Sequence, residues 1–383
     1  MLKLFFIMKK LTYLLFIAFL GACTPRTTTK PSTPDSTVQP DDTITFTPPK
    51  NIILMIGDGM GLTQITAAMY KNGNKLNLEQ FRFIGFQKTY SADNLITDSA
   101  ASATAMGCGV KTNNGAIGID KDGKPVQSIL EAAEAAGLAT GIVVTSSITH
   151  ATPACFYAHQ RDRAMMEEIA ADLLNVDVDF FVGGGTKYFA RRKDERNLLV
   201  ELTKKGYVLS SAFEKDFNDL TIDFSKNFGY FTADGEPLPF SQGRDYLVQA
   251  SGTAVTYLSS QPEGGFFLMI EGSQIDWGGH ANDADYVISE MIDFDNAIGE
   301  VLKFAMEDGQ TLVIVTSDHE TGGFAINLGS KMDSLIIKFT TDKHTAILVP
   351  VFAFGPGAEL FSGIYENTAI FDKMRRAFGF VKT

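Results

Sequence analysis

Cysteine is scarce, with three in 383 residues. This excludes the small scaffolds that need disulfide staples because their cores are too thin to hold unaided. Basic side chains are in deficit, 33 Lys and Arg against 45 Asp and Glu for a net charge of −12. Such a surface repels a phosphate backbone, so nucleic acid is not an expected partner. Histidine is also sparse, with five in the chain, which makes their positions informative. What the chain has in quantity is apolar residues, 45% against 20% charged. That balance is too apolar for a disordered chain and unlike collagen or a coiled coil. The length accommodates two ordinary domains or one large α/β domain.

The first residues read as an address. Lys3, Lys9 and Lys10 precede an apolar run from Leu11 to Leu20, too short to span a bilayer but suited to the core of a secretory signal. The run ends in Leu20-Gly21-Ala22-Cys23, which resembles a bacterial lipobox; an ordinary signal cut nearby is the alternative. The expectation is a lipoprotein signal peptide over 1–22, lipidation of Cys23 and export to the cell envelope, facing the periplasm or the cell surface. A membrane anchor would follow from the lipid on Cys23. Residues 23–49 are dominated by Thr, Pro, Ser and Asp and read as a flexible tether. Cys108 and Cys155 sit in no metal-type or redox-type spacing, so they read as two separate small hydrophobes, with a mutual disulfide as the alternative.

From Asn51 onward short apolar runs alternate with helical segments, without an internal repeat. That pattern predicts an α/β domain over 50–383 with a mainly parallel, buried sheet. The runs are Ile52 to Ile56, Ile142 to Val144, Phe180 to Val182, Phe266 to Ile270, Leu312 to Val315 and Ile347 to Phe354. Helices are expected over Ala100 to Met106, Val126 to Ala136, Arg163 to Leu174 and Ala284 to Met306, the last with Val287, Met291, Ile298, Val301 and Leu302 on one face. The segment 190–261 carries no usable motif and reads as peripheral helices and loops.

Polar residues follow the runs. Asp58 comes after Ile56; His150 and Thr152 after Val144; Glu271, Asp276 and His280 after Ile270; Asp318 and His319 after Val315. Ligands in open α/β sheets bind beyond the carboxyl ends of the strands, so these residues would meet on one rim. Each has a plain explanation alone, as a turn former, a helix cap or a surface pair. Together they put a carboxylate or imidazole at nearly every strand end. His with Asp suits Zn²⁺; Asp, Glu and a Thr hydroxyl suit Mg²⁺. Thr97-Asp98-Ser99 leads into an Ala-rich helix, so Ser99 would lie at a helix N-terminus that favours an alkoxide and an incoming phosphate. A simple N-cap is the other reading.

These residues together resemble the alkaline phosphatase family. The match rests on Gly57-Asp58-Gly59-Met60-Gly61, on Thr97-Asp98-Ser99 with the following Ala100-Ala101-Ser102-Ala103-Thr104-Ala105, and on His150-Ala151-Thr152-Pro153-Ala154. It continues in Glu271-Gly272 with Asp276 and His280, in Thr316-Ser317-Asp318-His319-Glu320-Thr321-Gly322-Gly323, and in Lys343-His344-Thr345. The resemblance implies a three-layer sandwich with a central, mainly parallel sheet between helices, two zinc ions and one magnesium. It implies hydrolysis of small phosphate monoesters through a phosphoserine on Ser99, and a possible homodimer. Asp276, His280 and His344 would hold the first zinc, and Asp58, Asp318 and His319 the second, joined by deprotonated Ser99. Asp58, Thr152 and Glu271 would hold magnesium. Arg163 would clamp the phosphate, with Arg161 as its near neighbour, and Asp98 would orient the guanidinium. Two positions vary within the family. Trp277 stands beside the phosphate where many members have Lys or His, and His150 adjoins the magnesium set. A phosphodiesterase or sulfatase of the same metal superfamily, or a non-catalytic binding lipoprotein, are the alternatives. The sulfatase is disfavoured because Ala100-Ala101-Ser102 follows Ser99 where a modifiable serine needs Pro and Arg.

Overall fold

The computed structural model describes residues 44–261 and 264–380. The expected signal peptide, Cys23 and most of the expected tether lie outside the described residues. Among the described residues fourteen strands follow in chain order: β1 (Asn51–Gly57), β2 (Phe83–Lys88), β3 (Ala139–Ser147), β4 (Phe180–Gly184), β5 (Val208–Ser211), β6 (Phe228–Phe231), β7 (Phe266–Gly272), β8 (Thr311–Thr316), β9 (Glu320–Thr321), β10 (Ala325–Ile326), β11 (Ile337–Lys338), β12 (His344–Thr345), β13 (Val349–Phe354) and β14 (Gly363–Glu366). Ten form one sheet in the order β14-β2-β13-β8-β1-β7-β3-β4-β6-β5. β13 alone runs against its neighbours; the other pairings are parallel.

The apolar runs become strands because both of their faces are covered. Ile52, Leu54 and Ile56 of β1 point into one core, with the helices Ser99–Cys108, Ile129–Ala135 and Thr368–Phe378. Ile53 and Met55 point into the other, with Leu62–Lys71, Tyr246–Ser259 and Ala284–Asp308. The result is helix, sheet, helix: an α/β three-layer sandwich. Helix ends follow local chemistry. Asp283 caps Ala284–Asp308 through the Tyr286 N–H at 3.1 Å, and Gly309 closes it in the left-handed region. The Val126-to-Ala136 helix starts later than expected, at Ile129, because Ser128 and Glu131 form a capping box. Arg163 falls outside the helix it was expected to open, which runs Met166–Asp172.

The segment 190–261 differs from its expectation. It supplies β5 and β6, which pair in parallel and extend the sheet beyond β4. Short four-residue strands carry too little periodicity to stand out in sequence. Packing on the α/β fold begins before the expected boundary at residue 50. Ile44 and Phe46 pack on the first core, and the Ile44 carbonyl accepts from Arg376 Nη2 at 2.9 Å. Among the described residues no helix is long and apolar enough to cross a membrane. Cys108 and Cys155 are buried and unpaired, so no disulfide joins them.

Candidate active site

Register brings the polar residues together. Ile56 lies level with Glu271 on β7 and with Thr316 on β8, and Val144 of β3 is also level with Glu271. Asp58, Glu271 and Asp318 therefore emerge side by side at the carboxyl end of the sheet. The turn after β1 is tight: Gly59 sits at φ +74°, where a Cβ would lie 2.7 Å from the Asp276 Cα. Its N–H donates to Asp318 Oδ1 at 3.1 Å. His344 arrives from far along the chain on β12, which pairs antiparallel with β9 just after His319. The rings of His319 and His344 stack with centroids 3.5 Å apart.

Three imidazoles share one orientation. His280 Nδ1 donates to the Asp342 carbonyl at 2.7 Å, and His344 Nδ1 to the Thr97 carbonyl at 2.8 Å. Thr321 Oγ1 donates to Asp276 Oδ1 and so accepts from His319 Nδ1 at 3.3 Å. With each Nδ1 committed as donor, each Nε2 turns inward carrying its lone pair. His280 Nε2 and His344 Nε2 are 3.1 Å apart, and His280 Nε2 is 3.3 Å from Asp276 Oδ2. His319 Nε2 lies 3.2 Å from Asp318 Oδ2, 3.6 Å from Asp58 Oδ1 and 3.3 Å from Ser99 Oγ.

The electrostatics are those of crowded buried acids. Burial, then the charges of Asp318, Asp276 and Glu271, push Asp58 well above the carboxylate range. Burial raises Asp318, with Asp276 adding to it, and burial pushes Glu271 up to about 8. Burial pulls His319 well below its usual value, and pulls His150, beside the Arg163 guanidinium, down to about 3. Burial would raise Asp276 too, but the His280 hydrogen bond and the charges of His319 and His344 hold it low. Six buried atoms here have no hydrogen-bond partner: Asp58 Oδ1 and Oδ2, Asp318 Oδ2, Glu271 Oε1, Thr152 Oγ1 and His150 Nδ1. The carboxylate oxygens among them are buried acceptors without donors, which is costly unless a cation satisfies them. Among the described residues three overlapping groups have ligand atoms within 4.8 Å of one another: Asp276, His319 and His344; Asp58, Asp318 and His319; Asp58, His150 and Glu271. The donor chemistry thus fits metal ions.

Ser99 opens the helix Ser99–Cys108 in a buried position, and Asp98 caps it through the Ala101 N–H at 2.9 Å. The cap is therefore Asp98, and Ser99 stands beside it at the helix N-terminus with its Oγ 3.3 Å from His319 Nε2. Arg163 Nη1 donates to Asp98 Oδ2 at 3.2 Å, and its Nη2 donates to His150 Nε2 at 3.3 Å. Arg161 is exposed. Trp277 is half-buried with its ring 5.9 Å from His150, edge to face.

Sequence reasoning missed the supporting residues. Thr321 stands between Asp276 and His319. Ser273 Oγ donates to Glu271 Oε2 at 2.7 Å. Ser102 Oγ holds the Asp318 carbonyl at 2.8 Å, and Gln87 Nε2 holds the Ser317 carbonyl at 2.6 Å. Hydroxyls and amides of this kind are too common in any sequence to signal a role. Only their placement within matched motifs, as for Ser102 and Thr321, offered a hint.

The family model described as alkaline phosphatase matches residues 49–337. Alkaline phosphatase 3 of Bacillus subtilis (strain 168) is 34% identical over an alignment covering 84% of this chain and 87% of that protein. The alkaline phosphatase of Escherichia coli (strain K12) is 32% identical, covering 91% of this chain and 90% of its own length. Among solved structures, the alkaline phosphatase from the Antarctic bacterium TAB5 is 46% identical and superposes with a TM-score of 0.83, covering 88% of this chain and 100% of that one.

Proposed function

The chain belongs to the alkaline phosphatase family and is an enzyme of phosphate monoester hydrolysis, and from that premise we propose that it works through a phosphoserine on Ser99. Asp276, His280 and His344 would hold one zinc ion, Asp58, Asp318 and His319 a second, and Asp58, Thr152 and Glu271 a magnesium ion. Zinc in such sites lowers the pKa of a nearby hydroxyl and stabilises both the attacking and the leaving oxygen of an in-line displacement. The reading is carried by one observation: His319 Nε2, which lies 3.2 Å from Asp318 Oδ2 and 3.6 Å from Asp58 Oδ1, two oxygens without a hydrogen-bond partner, is 3.3 Å from Ser99 Oγ.

The residues divide the work. Ser99 Oγ attacks phosphorus as the ester oxygen departs from the opposite side, and water then hydrolyses the phosphoserine to release inorganic phosphate. The helix N-terminus behind Ser99 favours the negative charge that gathers there. The planar fork of Arg163 accommodates two phosphate oxygens, while Asp98 and His150 hold its orientation. Trp277 would line the phosphate side of the site. The leader sequence supports export as an envelope lipoprotein acylated at Cys23, which mass spectrometry of the mature N-terminus would test.

Ser99→Ala should abolish trapping of labelled phosphoenzyme and cost several powers of ten in kcat with zinc content unchanged. Label that still accumulates on the variant would move the nucleophile elsewhere. Parallel assays on a monoester, a diester and a sulfate ester should show the monoester turned over fastest.

A further inference from the structure

Arg163 is carried on a clasp whose far end is fastened by a histidine outside the catalytic centre. The segments 115–118 and 159–163 run antiparallel and cross at Ile117 and Gln160, which exchange two backbone hydrogen bonds of 2.9 Å. At the front, the Arg163 N–H donates to the Gly115 carbonyl at 2.7 Å, and the Gly115 N–H donates to Asp98 Oδ2 at 3.0 Å, the oxygen that also takes the guanidinium. At the back, His159 Nδ1 meets the Gly118 carbonyl at 2.6 Å, and its Nε2 meets Glu131 Oε1 at 2.9 Å. Gly118 has φ +57°, and a Cβ there would lie 2.1 Å from the Ala158 carbonyl oxygen and 2.9 Å from His159 Nδ1, so only glycine fits this close approach.

Both atoms facing the ring are acceptors without a proton to give. A neutral imidazole has one N–H and would turn a bare lone pair on one of them; only the imidazolium donates to both. Three groups face the ring or its backbone. Glu131 comes from the helix Ile129–Ala135, and the Gly118 carbonyl from the partner segment. Asp172, from Met166–Asp172, takes the His159 backbone N–H at 3.0 Å and Gln160 Nε2 at 2.8 Å. Glu131 is fixed in turn, accepting the Ser128 N–H at 2.7 Å in its capping box. The Glu131 hydrogen bond raises His159 above its ordinary pKa, against the opposing effect of burial.

We propose that His159, held as an imidazolium between Glu131 and the Gly118 carbonyl, is a positioning residue that sets Arg163 for phosphate. The inference rests on the reading of Arg163 as the phosphate clamp. His159→Gln supplies a donor to one acceptor only and should slacken the clasp at its back end.

The test is a double-mutant cycle on inhibition by inorganic phosphate, using zinc-loaded and magnesium-loaded enzyme. His159→Gln should weaken phosphate binding about 5- to 10-fold, as expected for coupled neighbours, and raise KM more than it lowers kcat, with metal content unchanged. In an Arg163→Ala background the same substitution should add almost nothing. Additive losses, or none from His159→Gln alone, overturn the proposal. An Arg163→Ala variant with unaltered phosphate affinity removes both the clamp and its support, a pattern distinct from additivity. Should His159→Gln fail to fold, nitrogen NMR of the wild-type ring decides: two protonated ring nitrogens at neutral pH are expected, and a neutral ring refutes the proposal.

Discussion

Thr321 offers a sharp test of how the site holds its shape. Its hydroxyl donates to Asp276 Oδ1 and accepts from His319 Nδ1, so one oxygen fixes a carboxylate of one metal group and the tautomer of an imidazole in the next. Thr321→Val keeps the branched shape and leaves no cavity; a Cβ at the adjoining Gly279 would lie within 2.9 Å of the Thr321 Cβ and Cγ2, so that packing persists. What is lost is a hydrogen bond to a buried charged group, about 1.5–3 kcal/mol, together with a partner for His319 Nδ1. Changing such an outer partner typically lowers metal affinity about 10- to 100-fold. Zinc affinity measured by competition against a chromophoric chelator should fall by that factor. Thr321→Ser, which keeps the hydroxyl, should remain within about threefold of wild type. A Thr321→Val protein that binds zinc as tightly as wild type would refute the argument that this hydroxyl orients the ligands.

Exhaustive chelation should abolish monoester hydrolysis, and Zn²⁺ with Mg²⁺ should restore it; full turnover by metal-free protein would contradict the metal assignment. Trp277 offers one neutral N–H donor at a position beside His150. Trp277→Lys should therefore tighten inhibition by inorganic phosphate about tenfold, by adding a charged donor, and lower kcat where product release limits turnover. Unchanged inhibition in a fully metallated variant would leave Trp277 a packing residue. His159 has a raised pKa, so its contribution to stability is fully present below its unfolded value of 6.5 and is lost as pH climbs through the folded value. The Tm difference between wild type and His159→Gln should thus be larger at about pH 6 than at about pH 10. A gap that widens with pH would reverse the assigned sign.

The long buried strands were legible because β1, β7 and β8 are apolar on both faces, and polar residues at their ends mark the rim. β5 and β6 were not, being four residues each and stabilised by neighbours that only the folded chain supplies. β2 and β14 escaped notice for a related reason: Gly85, Gln87 and Lys88 in the first, and Gly363 and Glu366 in the second, interrupt the apolar signal. The site shows the same division. Asp58, Ser99, Asp318 and His319 belong to compact motifs, whereas the orientation of each imidazole depends on the Thr97 carbonyl, the Asp342 carbonyl and Thr321. Which backbone oxygen stands behind a ring is a property of tertiary packing that no spacing encodes. The antiparallel course of β13 was equally hidden, since strand direction leaves no mark on composition.

The position of β1 between β7 and β8 governs how the chain can fold. The turn after β1 meets the turn after β8 through Gly59 and Asp318, which stand 259 positions apart. A chain emerging from its N-terminus therefore makes the middle of its sheet early and must wait for β7 and then β8, far along the chain, before the two edges of that strand are covered. Loop closure over such spans is slow, and unpaired apolar edges invite wrong pairing meanwhile. Catalytic competence should consequently appear late and all at once, because Ser99, the rim carboxylates and the arginine clasp share no smaller unit that could mature first.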